Sequence, residues 1–219
     1  MSLFVSEGGG STIPLLPEDS YPAICCVLAD LGDQYNEKYD NMSHKVAITW
    51  ELPGELLESG DSRKLTNVYT ASLNAKSNLR KDLISWRGRD FTPEELKNFD
   101  LRNIVGVPCL IQVIHKARQD GSKWASIGSI MKLPKGMKVP EGTVLPLIFD
   151  LDDPAAAEKI DVLPKWIQER IMESETWKTL GDEKKNAEDE KAGEDTAPAE
   201  DEKQKFIEVL NEDDGSLPF

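Results

Sequence analysis

His44-Lys-Val-Ala-Ile-Thr-Trp-Glu-Leu52 alternates apolar and polar residues without a break. Successive side chains of an extended chain point to opposite sides, so Val46, Ile48, Trp50 and Leu52 share one face. Lys45, Ala47, Thr49 and Glu51 share the other. The stretch reads as a strand with Trp50 turned into a core. Upstream, Tyr21-Pro-Ala-Ile-Cys-Cys-Val-Leu-Ala-Asp30 is a continuous apolar run, long enough for a buried strand and short for a helix. Residues 31–43, with Tyr35 and Tyr39, read as a polar connection between the two.

Working outward, residues 53–64 are rich in turn formers and residues 66–72 read as a third strand. Val107-Pro-Cys-Leu-Ile-Gln-Val-Ile-His115 and Lys123-Trp-Ala-Ser-Ile-Gly-Ser-Ile-Met131 read as a hairpin turned by Asp120-Gly121. A Pro/Gly loop over 133–140 leads to a final edge strand at 144–149. Helical signals fall between the third and fourth strands. Leu79, Leu83 and Trp86 are spaced for one face of a helix that Gly88 ends. Thr92-Pro93-Glu94-Glu95 is a helix start with Thr as N-cap, Pro at N1 and Glu at N3. A further helix over 163–172 carries Trp166, Ile167 and Ile171 along a stripe. Five or six short strands with few helices and no βαβ rhythm predict a mainly β, antiparallel small barrel.

Charge divides the chain unevenly. The formal charge of −14 hides a split: residues 151–219 carry 21 acids and 9 bases, residues 1–150 carry 19 and 17. Within residues 76–138 there are 13 Lys or Arg against 6 Asp or Glu, a basic region inside an acidic protein. The organisation expected is a flexible lead-in (1–20), a barrel (21–152), a helical extension (153–180) and a disordered acidic tail (181–219). Cys25, Cys26 and Cys109 sit in apolar runs and read as buried, reduced thiols of a cytoplasmic protein. The N-terminus lacks a signal-peptide pattern, and no run reaches membrane-spanning length. His44 and His115 have no ligand-spaced neighbours, and Asp150-Leu-Asp-Asp153 runs into an ordinary helix start. No metal, cofactor or catalytic group is expected, and the Gly8-Gly9-Gly10 run lacks the strand and Lys of a phosphate loop.

The positive signal is cations interleaved with rings. Single-stranded nucleic acid needs cations for its phosphates and flat faces for its unstacked bases. Lys76, Arg80, Lys81, Arg87 and Arg89 surround Trp86 and Phe91. The hairpin adds Lys116, Arg118, Lys123 and Trp124, and the loop after it adds Lys132, Lys135 and Lys138. Tyr69 is a weaker stacking candidate. The competing reading makes Trp86 and Trp124 core residues and the bases a solvated face.

The chain closes on Glu212-Asp213-Asp214-Gly215-Ser216-Leu217-Pro218-Phe219. Acids followed by an apolar residue, Pro and Phe resemble the tail of bacterial single-stranded-DNA-binding proteins, with a Gly-Ser spacer as the departure. The block from Leu79 to Phe99, with Trp-Arg-Gly-Arg and Phe-Thr-Pro-Glu-Glu-Leu, resembles phage-encoded single-stranded-DNA-binding proteins. That resemblance implies an oligonucleotide-binding (OB) barrel of five or six strands in a bacterial host cell. It implies single-stranded DNA as ligand, in replication, recombination or repair. It also implies replication or recombination proteins as partners of Asp213, Asp214, Leu217, Pro218 and Phe219. The tail is then expected to compete with DNA for the basic body; a solubility appendage is the plainer reading. Phe206-Ile-Glu-Val-Leu210 reads either as a second binding motif or as a strand for a sheet edge. An interaction adaptor, or an accessory subunit of a nuclease or helicase without DNA affinity of its own, is the alternative function. No oligomeric state follows from these signals.

Overall fold

The computed structural model describes residues 14–37, 40–139 and 141–181. The chain divides into units over Met1–Trp177 and Lys178–Phe219; the fold below belongs to the first. The tail with Asp213, Asp214, Leu217, Pro218 and Phe219, and the segment at 206–210, lie outside the described residues.

The protein is mainly β, as the alternation predicts. Strands β1 (Ser20–Asn36), β2 (Asn41–Leu56) and β3 (Ser62–Thr70) form an antiparallel meander. Helices α1 (Asn78–Arg87) and α2 (Pro93–Lys97) and a 3-10 turn (Leu101–Ile104) follow. Then come the hairpin β4 (Pro108–Ala117) and β5 (Lys123–Met131), a short β6 (Leu147–Phe149), and helices α3 (Ala156–Lys159) and α4 (Lys165–Met172). The ladder runs β3-β2-β1-β4-β5, with β6 on β1.

Two features depart from an antiparallel closed barrel. The hydrogen-bonded path is open, with β3 and β5 as its ends. And β6 pairs with β1 in parallel, not antiparallel. The second follows from the length of β1. Strand β4 pairs only with Ser20–Ile24, which leaves the edge at Val27–Ala29 free for another strand.

Strand β1 bends through two irregularities, at Cys25/Val27 and Asp30/Gly32. Extra residues of this kind sharpen the twist of a strand and let it serve two neighbours. It runs on to Asn36, where the sequence suggests a polar connection, because Gly32 to Asn36 still pair with β2. At Gly32 (φ 69°) a Cβ would lie 2.8 Å from Ser174 Oγ and 2.9 Å from Thr176 Cβ, so only glycine fits there.

Trp50, Ile48 and Leu52 on β2, Ile111 on β4, Ile130 on β5 and Leu83 on α1 lie in one buried cluster. This is the inward parity read from residues 44–52. The opposite face of β2 is not free, however: Ala47, Thr49 and Glu51 are buried as well. A second buried group outside the main cluster includes Ala29, Leu31, Leu163, Ile167 and Ile171, and α4 packs on β1. Leu163, just before α4, and Ile167 and Ile171 within it make a buried stripe at intervals of four. Trp166, expected on that stripe, is one position off it and 42% exposed.

The lead-in is anchored from Pro14 onward, which corrects its expected flexible end at residue 20. Leu16 is buried. Pro14 O accepts from Arg63 Nη1 at 2.6 Å, and Glu18 Oε1 accepts from the His115 amide at 2.6 Å.

The β1–β2 hairpin also gives His44 partners that its sequence neighbourhood does not reveal. Asp30 Oδ1 lies 2.8 Å from Nε2 and Asp33 Oδ1 3.0 Å from Nδ1. The hydrogen bond to Asp30, ahead of the two carboxylate charges and against partial burial, raises the imidazole pKa from 6.5 to about 9. A folded pKa above the unfolded one means that this stabilisation is complete below 6.5 and is lost as pH rises through 9. Denaturant midpoints measured across that window are expected to fall for the parent protein and to stay nearly flat for His44→Gln. Equal slopes would remove the assignment.

Candidate nucleic-acid interface

The block that suggested the interface most strongly turns out to be largely internal. Trp86 is 5% exposed, donates from Nε1 to Pro108 O at 2.9 Å, and meets Trp50 at 5.8 Å between ring centres. Phe91 is 7% exposed and sets its ring edge-on to Phe99 at 5.1 Å. Tyr69 is 3% exposed, and its hydroxyl donates to Asp82 Oδ2 at 2.8 Å. These three rings are core residues, which corrects their assignment as stacking platforms. The cause is legible for Trp86: it completes the buried Leu79, Leu83, Trp86 stripe of α1, which Gly88 ends at φ 70°.

The arginines of this block are also committed. The Arg87 guanidinium lies 4.3 Å from the Phe91 ring centre and 5.1 Å from that of Phe99, and its Nη2 pairs with Glu95. Arg89 reaches the same carboxylate at 2.7 Å, and Arg80 pairs with Asp90 at 3.2 Å. Glu95 is also the N3 partner of Thr92 in a complete capping box on α2. The Arg89 hydrogen bond, followed by the Thr92 amide, holds Glu95 down to about 2. The block is thus a clasp between α1 and α2. Of its expected phosphate ligands only Lys76 and Lys81 are exposed and without an ion pair among the described residues.

The β4–β5 hairpin is different. Lys116 pairs directly with Trp124, Ile114 with Ser126, Gln112 with Ser129 and Leu110 with Met131. The intervening residues Ile111, Val113 and Ile130 are buried in the core. Residues opposite one another share a face, so the Lys116–Trp124 parity looks outward. Arg118 places its guanidinium 5.4 Å from the Trp124 ring centre. Trp124 is half-buried, while Lys116, Arg118, Lys123 and Lys132 are exposed. None of these four cations has a carboxylate within 4.0 Å among the described residues. At Gly128 a Cβ would lie 2.9 Å from Ile114 Cγ2, so the missing side chain lets Ile114 lie flat on the sheet.

This outward face continues onto the start of β1, where Ser20 and Pro22 pair with Gln112 and Leu110. It stops at β2. There Glu51, buried on the outward side, accepts from Thr143 N at 2.8 Å, Thr143 Oγ1 at 2.7 Å and Val144 N at 3.2 Å. Although burial pushes the carboxyl up, these bonds together leave it below its ordinary value. Glu51 thereby latches the segment at 141–144 across the sheet. Gly142 sits so close that a Cβ would be 2.7 Å from Glu51 Oε2. What remains open is a strip of half-buried apolar residues, Leu110, Ile114, Trp124 and Met131, bordered by free cations. Sequence reasoning named its cations and its ring but missed Leu110, Gln112, Ile114, Ser126, Ser129 and Met131. The alternation of 107–115 and 123–131, applied as it was to 44–52, would have found them.

Alanine in place of Trp124 removes the one accessible ring from this strip. Were an oligonucleotide to stack on this strip, its affinity, read by fluorescence anisotropy, would be expected to fall roughly tenfold in that variant. The thermal midpoint should change little.

The chain matches no family model and no curated protein sequence. No helix of the described residues is long and apolar enough to cross a membrane. Among the same residues no group of three or more His, Cys, Asp and Glu could hold a metal ion. Cys25, Cys26 and Cys109 are free and buried. Burial raises all three thiols, Cys26 to about 11.

Proposed function

We propose that this chain is a single-stranded-DNA-binding protein of OB type, without enzymatic activity, acting in replication, recombination or repair. Support for the OB reading comes from connectivity. A long bent β1 pairs with β2 on one side and β4 on the other, and α1 lies between β3 and β4. Residues of β3 and β5 approach within 8 Å between Cα atoms, the closing position of such a barrel.

The observation that carries the function is the outward face of β4–β5. It pairs an accessible indole with Lys116 and Arg118, and its cations have no carboxylate within 4.0 Å among the described residues. A ring offers its face to any base, and free cations displace counterions from phosphates, so the contact is independent of sequence. Fluorescein-labelled oligo-dT should bind with an affinity that falls with salt, and a duplex of equal length should bind much more weakly. An adaptor without DNA affinity would bind neither, and equal binding of both would refute single-strand selectivity.

The acidic residues of 181–219 belong to the same proposal. A tethered polyanion competes with DNA at high effective concentration, and frees its Leu217-Pro218-Phe219 segment for partner proteins when DNA displaces it. Removing residues 181–219 is therefore expected to tighten oligo-dT binding at low salt and to make little difference at high salt. A truncated chain that binds no better than the full one at low salt would refute the competition.

A further inference from the structure

Beside the β4–β5 face lies a cleft of about 400 Å³. Trp86, Phe99, Val107 and Leu133 supply apolar walls, and Asn103, Arg87 and Lys132 supply polar groups. Its position follows from the strands: Pro108, which opens β4, and Lys132, which follows β5, both border it. It therefore adjoins the end of the face marked by the Leu110–Met131 pair, away from the hairpin turn. The eight residue steps from Trp124 to Lys132 cover roughly 26 Å at the rise of a strand.

Arg87 gives the cleft its chemistry. Its Nη2 is taken by Glu95 and its plane lies against Phe91 and Phe99. Its Nη1 is buried and has no hydrogen-bond partner among the described residues. A buried donor left unmade is a cost that a ligand acceptor would relieve. Lys132 adds a second cation; its backbone amide is fixed to Ser85 O at 3.1 Å, while its side chain is exposed. Flat apolar walls, an amide, an unsatisfied guanidinium and an adjacent ammonium suit a planar group with a polar edge on an anionic backbone.

We infer that this cleft is a nucleobase pocket. It takes one base of the single strand at the end of the β4–β5 face, with Lys132 on the neighbouring phosphate and Arg87 and Asn103 toward the base edge. The inference rests on the proposed single-strand binding and adds a defined terminus to the strand's path. It separates two kinds of contact: exposed stacking on Trp124, and enclosure of a base some distance along the same track.

The test is a walk of a single abasic residue along labelled oligo-dT, with affinity read by anisotropy. Two sensitive regions are expected, one abolished by Trp124→Ala and one near an end of the bound stretch, where losing the base costs roughly tenfold. Val107 is 39% exposed at the cleft. In Val107→Phe, which fills the cleft, the terminal sensitivity should disappear and the Trp124 region should persist. Leu133→Trp fills it from the other wall and serves if the first variant unfolds. Binding with only the Trp124 region sensitive would overturn the pocket and leave the proposed function standing, as would a terminal sensitivity that both filled variants retain. No binding of any oligonucleotide would overturn both.

Discussion

Trp86→Ala is expected to cost the protein about 3–5 kcal/mol of stability, the range for deleting a large aromatic side chain from a packed core. The indole is 5% exposed, packs on Trp50 and donates to Pro108 O. Its removal opens a cavity between α1 and β2 and leaves the Pro108 carbonyl without its donor. Domains of ordinary stability have only about 5–15 kcal/mol in total, so much of the margin goes with this one ring. Trp86→Phe separates the contributions: it keeps most of the volume and loses the hydrogen bond, for about 1 kcal/mol. Urea unfolding followed by circular dichroism reads both. If Trp86→Ala left the midpoint unchanged while weakening oligonucleotide binding, Trp86 would be a stacking platform after all, and the core assignment would fall.

The second large effect concerns charge. Lys116, Arg118 and Lys123 border the open strip without a carboxylate within 4.0 Å among the described residues. Each neutralised phosphate on a single strand contributes about 0.7 to the slope of log affinity against log salt. Replacing all three by glutamine should flatten that slope by about 2. Parent and variant would then converge near 1 M salt and differ by about a hundredfold at 0.1 M. The same exchange at Arg80 and Arg89 should act through stability, since Asp90 and Glu95 already occupy those guanidinium groups. Losing the Glu95 clasp would loosen α2, whose capping box uses that carboxylate.

The contrast between the two arginine and lysine sets explains what the sequence could and could not reveal. Local signals were legible. The 44–52 alternation placed Trp50 and its strand, the Asp120-Gly121 turn placed the hairpin, Gly88 ended α1 and Thr92 capped α2. Each rests on interactions within a few residues. What was illegible depends on distant partners. Trp86-Arg-Gly-Arg has the composition of a nucleic-acid contact, and composition does not say that Phe91, Phe99 and Glu95 fold back to cover it. Glu51 reads as a solvent-facing strand residue until Thr143 arrives, 92 positions later, to bury it. The end of β1 reads as a loop because Asp33 and Gln34 are polar, yet its backbone still pairs with β2. Trp124 was found by type, and only its register with Lys116 separates it from Trp86.

Salt titration of oligo-dT binding, parent against the Lys116, Arg118 and Lys123 triple glutamine variant, tests the β4–β5 face most directly. The expected result is a steep negative slope for the parent and one shallower by about 2 for the variant, with unfolding midpoints unchanged. Parallel slopes in two equally stable proteins would contradict it and move the strand to another surface.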